Sequence, residues 1–132
     1  MGVFQTIGDA REYFSADRFA MQNGITIDEL ADGRCVCSME LTEVHRNASG
    51  SVMGGVIFTL ADFALAVASN HIHRLSVAQS VDIQFLGRSR GTRLTAEAVC
   101  RKDGKRIGVY NISVADEFGT DVAQCCGTVC KL

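Results

Sequence analysis

The chain has 132 residues, 47% of them hydrophobic and 21% charged, with a net charge of −2. That length holds one domain, residues 1–132, with a buried core, and excludes two. The near-neutral charge gives no electrostatic footprint for nucleic acid, where a strongly basic face would be expected, and with no proline and no low-complexity run there is no visible linker.

In chain order, the opening MGVFQTIGDAREYF carries charges early and lacks a long apolar core, so no secretory leader is expected. Residues 9–22 read as a first helix, with Asp9 and Glu12 as its capping pattern and Gly24 as its stop. ITIDEL (25–30) reads as a short strand turned at Asp32-Gly33. In 34–44, Cys35, Cys37, Met39 and Leu41 alternate with Val36, Ser38 and Glu40, the pattern of a half-buried strand. A polar loop over 45–53 contains Asn47 and Gly50. Residues 54–70 form the main helix, apolar nearly all round and therefore buried on most sides.

Strand patterns follow closely. Val81, Ile83 and Phe85 alternate with Ser80, Asp82 and Gln84; Leu94, Ala96, Ala98 and Cys100 alternate with Arg93, Thr95 and Glu97. Asp103-Gly104 marks a hairpin into 105–115, and a turn at Glu117–Thr120 leads to a last strand over 121–131. Short connections make the sheet mostly antiparallel. One long central helix wrapped by a curved sheet of about six strands is the economical arrangement, an α+β fold.

The segment GSVMGGVIFTLADFALAVASN poses the chemical question. Between Val52 and Asn70 its only charged side chain is Asp62. The carboxylate and the two glycines argue for a buried helix rather than a membrane span. Gly54 and Gly55 open the helix, where free amides sit at the positive end of its dipole and no Cβ blocks a ligand. Such amides suit a carbonyl that gains negative charge. Asp62 lies roughly 12 Å further along at 1.5 Å per residue, too far to act on the same carbonyl within one helix. Two helices packed antiparallel across a two-fold axis would bring Asp62 of one to the Gly54 end of the other, and Ala61, Ala64, Ala66 and Ala68 would permit close approach. The competing account is a carboxylate that only satisfies a buried hydrogen bond.

HRNASGSVMGGVIFTLADFALAVASN resembles the hotdog-fold thioesterase superfamily, in particular the PaaI-type acyl-CoA thioesterases of phenylacetic acid degradation. Asn47, Gly50, Gly54-Gly55 and Leu60-Ala61-Asp62 fall at the spacing of the family pattern, and SVDIQFL (80–86) with 93–129 matches its closing strands. The resemblance implies a hotdog fold and hydrolysis of an acyl-CoA thioester. It implies Asp62 as general base or nucleophile and the Gly54 or Gly55 amide as the group polarising the carbonyl. It also implies Asn47 as a residue orienting water or substrate, and Ser80 as a helper of the attacking water across a dimer. The family's histidine before Gly-Gly is Met53 here, and methionine is only a weak acceptor. Met53, Phe58, Phe63 and Leu65 are the expected acyl-pocket wall. Arg88 and Arg90, in a basic rim at the strand ends, are candidates for the CoA phosphates. A homodimer or a dimer of dimers is implied.

No metal or organic cofactor is expected. His71-Ile72-His73 follows the helix, where imidazoles meet its carbonyl end, and the cysteines lack zinc-site spacing. Without a leader they read as reduced thiols, which predicts a cytoplasmic protein. Two alternatives compete with the thioesterase. A hotdog dehydratase would need a histidine beside an acid, which the sequence does not supply. A non-catalytic acyl-CoA or small-ligand binding protein is favoured by Met53.

Overall fold

The computed structural model describes residues 2–132. Two short helices, α1 (Ile7–Phe14) and α2 (Arg18–Gln22), precede β1 (Thr26–Ala31) and β2 (Arg34–Glu40); after a single 3₁₀ turn at Glu43–His45 come the long helix α3 (Gly54–Ile72) and the strands β3 (Ser76–Phe85), β4 (Arg93–Asp103), β5 (Ile107–Asp116) and β6 (Asp121–Lys131). One six-stranded sheet has the order β1-β2-β4-β5-β6-β3, and every strand pair is antiparallel. The sheet curls around α3, the hotdog arrangement.

The expected first helix over 9–22 is in fact two. Thr6 caps α1 by accepting from the Asp9 amide while the Asp9 carboxylate accepts from the Thr6 amide, so the capping box sits one turn earlier than the Asp9–Glu12 pattern suggested. α1 stops at Ser15, whose hydroxyl donates to the Glu12 carbonyl at 2.6 Å. Phe14 is buried edge-on against Phe63 of α3, with centroids 5.6 Å apart. That contact fixes where the chain must turn, and the turn places α2 across α3.

α3 has the length and composition of a membrane span, but the protein buries most of it. Leu60, Ala61, Ala64, Val67 and Ala68 face the inward residues of the sheet, among them Leu94, Ala96, Ala98, Ile112 and Val114. The small residues therefore let the chain's own sheet wrap tightly, and the expectation that Ala61, Ala64 and Ala68 serve contact with a second helix is corrected; only Ala66 remains partly open. Leu65 is 1% exposed, and its Cδ2 lies 2.8 Å from where a Cβ on Gly127 would stand. A side chain at Gly127 would displace it.

The two sheet edges differ. β1 is short and bulged between Ile27 and Glu29, and the Arg11 guanidinium donates to the Ile27 carbonyl at 2.8 and 3.0 Å. β3 is ten residues long, largely exposed, and has no partner strand on its outer side among the described residues. A long uncovered edge is a template for pairing with another chain.

Candidate active site

Met53 is the N-cap residue of α3 and makes no side-chain cap. Its carbonyl accepts from the Val56 and Ile57 amides at 3.0 and 3.4 Å, so among the described residues the Gly54 and Gly55 amides have no acceptor. The preceding loop holds this end still. The Met53 amide donates to the His45 carbonyl at 2.9 Å, and the Asn47 amide to the Ser51 carbonyl at 2.8 Å. The Asn47 side-chain oxygen takes three donors, the Ser49 and Ser51 amides, each at 3.0 Å, and the Ser49 hydroxyl at 2.8 Å. Asn47 thus organises the loop with its carbonyl end and has only its amino group left for a ligand.

Gly55, Thr59, Asp62 and Ala66 recur at helical spacing on the side of α3 that the sheet leaves open. Two cavities line up along them. One, of about 290 Å³, is walled by Met53, Gly55, Val56 and Thr59 with Phe19, Asn23, Ile25 and Met39. The other, of about 270 Å³, holds Asp62 and Asp17 among its walls. Phe19 and Thr59 border both, so a groove runs from the helix N-terminus to the carboxylate. Burial, and then the charge of Asp17, push the Asp62 carboxyl above the usual range; burial also raises Asp17.

Of the expected acyl-pocket wall, Met53 is in place, 55% exposed beside Gly55. Phe63 is packed on Phe14 and meets the Asp62 cavity only at its wall. Leu65 is a core residue over Gly127, and the pocket assignment is corrected for it. Phe58 is half-buried and borders neither cavity. Ser80 is exposed on β3 opposite Thr128, next to a bulge, and lines neither cavity of its own chain.

Arg88 and Arg90 are exposed on the loop after β3. Phe85, which ends β3, lays its ring over the helix start, with Cζ 3.3 Å from the position of a Gly54 Cβ. The arginine loop therefore leaves from beside the free amides. Two carboxylates anchor it. Asp116 accepts from the Arg90 amide at 2.8 Å and from the Phe118 and Thr120 amides at 3.0 and 2.9 Å. Burial alone would raise this carboxyl, but the backbone donors outweigh it and hold it at about 2. Glu117 accepts from the Thr92 and Arg93 amides, which also lowers it.

As residues that shape the site, Phe85, Asp116, Glu117 and the α2 residues Phe19 and Asn23 escaped the sequence reading. So did His45. It is buried; its Nδ1 accepts from the Thr42 amide at 3.0 Å, so Nε2 carries the proton and donates to Asn23 Oδ1 at 3.0 Å. Burial, then Arg46, lower its proton affinity. His71 lies between Phe4 and Asp32, and His73 donates to the Leu132 carbonyl at 3.1 Å. Among the described residues no three His, Cys, Asp or Glu side chains group to hold a metal ion.

Residues 49–123, the span from the Asn47 loop through the last turn, match the family model of the thioesterase superfamily. The chain belongs to the thioesterase superfamily. It is 35% identical over 116 residues to acyl-coenzyme A thioesterase PaaI of Escherichia coli, covering 87% of this chain and 83% of that one. Human acyl-coenzyme A thioesterase 13 is 29% identical over 104 residues, 76% of this chain and 74% of its own. The structure of E. coli PaaI, from the phenylacetic acid degradation operon, superposes with a TM-score of 0.89 at 33% identity, over 93% of this chain and 90% of that one. Within this superfamily chain, the groove along α3 is the candidate active site.

Proposed function

We propose that the protein hydrolyses an acyl-CoA thioester to the free acid and CoA, at equivalent sites each shared between two chains of a homodimer or of a dimer of dimers. The observation that carries this reading is the open stripe of α3, which runs from the free amides at the Gly54-Gly55 helix start to a half-buried carboxylate at Asp62 roughly 10–12 Å further along. Antiparallel juxtaposition of two such stripes puts the carboxylate of one chain beside the amides of the other. The free edge of β3 supports the same pairing, since a second copy extends the sheet there.

In this mechanism the thioester oxygen sits against the Gly54 or Gly55 amide. Asp62 takes a proton from water, and the water oxygen attacks the carbonyl carbon. Negative charge collects on the oxygen held by the amides. Collapse breaks the carbon–sulfur bond, and the proton taken from water ends on the CoA thiolate. Asp62 acting instead as nucleophile would form an anhydride that water then opens, with the same products. Burial raises the proton affinity of Asp62 and so strengthens it as a base. The Arg88–Arg90 loop beside the amides suits the CoA phosphates, and the Met53–Phe19 cavity suits the acyl group. The six free thiols suit a reducing compartment, and we place the activity in the cytoplasm.

The test is release of free thiol from a panel of aryl and aliphatic acyl-CoA thioesters, with sedimentation on the same sample. Turnover by a dimer or tetramer is the expected result. Tight acyl-CoA binding without thiol release across the panel would make the protein a binding module instead.

A further inference from the structure

Asp17 occupies the N-cap position of α2, where an aspartate normally accepts from an amide of the first turn. Here it makes no such bond. Its backbone is nevertheless held on both sides: its amide donates to the Phe14 carbonyl and its carbonyl accepts from the Met21 amide, both at 3.0 Å. Phe14 in turn packs edge-on against Phe63, the residue after Asp62. The path Phe63–Phe14–Asp17 ties the Asp17 backbone to the helix turn that carries Asp62, and Asp17, although exposed, lines one cavity with Asp62.

We propose that Asp17 is a positioning residue for Asp62: its carboxylate, set on the shared cavity by the break between α1 and α2, keeps negative charge against Asp62 and so holds that carboxylate ready to take a proton. This rests on the reading of Asp62 as the base. The only other charged side chain on the cavity wall is Arg18, exposed on α2, whose charge opposes that of Asp17; Phe19, Ala20, Thr59, Phe63 and Ala66 complete the wall and are uncharged. Like charges at close range disfavour double ionisation, and after burial the charge of Asp17 is the second cause that raises Asp62. The break at 15–17 thereby acquires a use, since a continuous helix over these residues would carry position 17 elsewhere.

The test is the pH dependence of kcat/KM for acyl-CoA hydrolysis in the full-length protein, for wild type, Asp17→Asn, Asp17→Ser and Asp17→Glu, with melting temperature measured on each. Asparagine and serine are good N-cap residues, so both variants are expected to fold. The acid limb should move to lower pH in Asp17→Asn and Asp17→Ser, because one like charge is gone. It should return towards the wild-type position in Asp17→Glu. An acid limb that stays in place in the two neutral variants overturns the proposal, as does a limb that moves equally in Asp17→Glu. A role confined to helix α2 would lower the melting temperature and leave the limb unmoved. Asp62→Asn separates the two failures. If that variant stays active, the base assignment falls; if it is inactive and the limb ignores Asp17, only the positioning role falls.

Discussion

The ring of Phe85 lies over Gly54, its Cζ 3.3 Å from where a Cβ on that glycine would stand. The end of β3 therefore sets how much room exists at the free amides of α3. Gly54→Ala should press this ring aside by a few tenths of an ångström and crowd the approach of a thioester oxygen. We expect kcat/KM to fall by roughly 10- to 100-fold, the scale of small misplacements in a catalytic site, with little loss of melting temperature. Adding Phe85→Ala should recover part of the loss. Additive losses in the double variant would show that Phe85 and Gly54 act independently.

Charge reversal at Arg88 or Arg90 should raise KM for acyl-CoA about two- to fivefold, the scale of an exposed ion pair, and leave kcat nearly unchanged. Contacts to the CoA phosphates hold ground state and transition state alike. A thioester of a truncated, phosphate-free thiol should not sense the change. Equal sensitivity of both substrates would remove these arginines from phosphate recognition.

Asp116→Asn should loosen the arginine loop, because Asp116 gathers amides from Arg90, Phe118 and Thr120. Its carboxyl is held at about 2, below its unfolded value. Its stabilisation is therefore complete above the ordinary carboxylate range and is lost as pH falls through about 2. The melting temperature of the variant should lie below wild type by a constant margin at neutral pH, and that margin should close between roughly pH 4 and the native value. A margin that persists in acid would assign the effect to shape rather than charge.

His45→Leu leaves the part-buried Asn23 oxygen without its donor and the Thr42 amide without its acceptor, and should cost about 1–3 kcal/mol, the scale of lost partners in a partly desolvated site. Asn23→Leu added to it should restore only part of the loss, since the Thr42 amide stays without its acceptor and the Asn23 bond to the Phe19 carbonyl is lost as well. Burial lowers the proton affinity of folded His45, so the unfolded chain binds the proton more readily and wild-type stability should fall as pH drops below about 6.5. Denaturant titrations at several pH values on the single and double variants measure both effects.

The architecture was legible because the strand alternation in 80–85 and 93–100 and the apolar run after Gly54 each admit one period. Asp62 was legible as the one charge in that run. What surrounds it was not. Residues 9–22 carry no local stop at Ser15, and the break follows from Phe14 seeking Phe63, a contact 49 positions apart in the chain. A helix apolar on nearly all sides does not say which neighbour buries each side, so Ala61, Ala64 and Ala68 read as a helix–helix face although the sheet takes them. Leu65 looked like pocket wall for the same reason. The start of β3 at Ser76 was hidden because residues 76–79 are mostly exposed and lack a clean alternation.

The most direct measurement is kcat and melting temperature of Asp62→Asn on one preparation. Asparagine keeps the size and an acceptor but cannot take a proton from water or attack as a carboxylate. A loss of about 10²–10⁴-fold in kcat, with the fold and acyl-CoA binding retained, is the expected result. A stable Asp62→Asn protein with full activity would contradict it and leave the carboxylate in the groove without a part in the reaction.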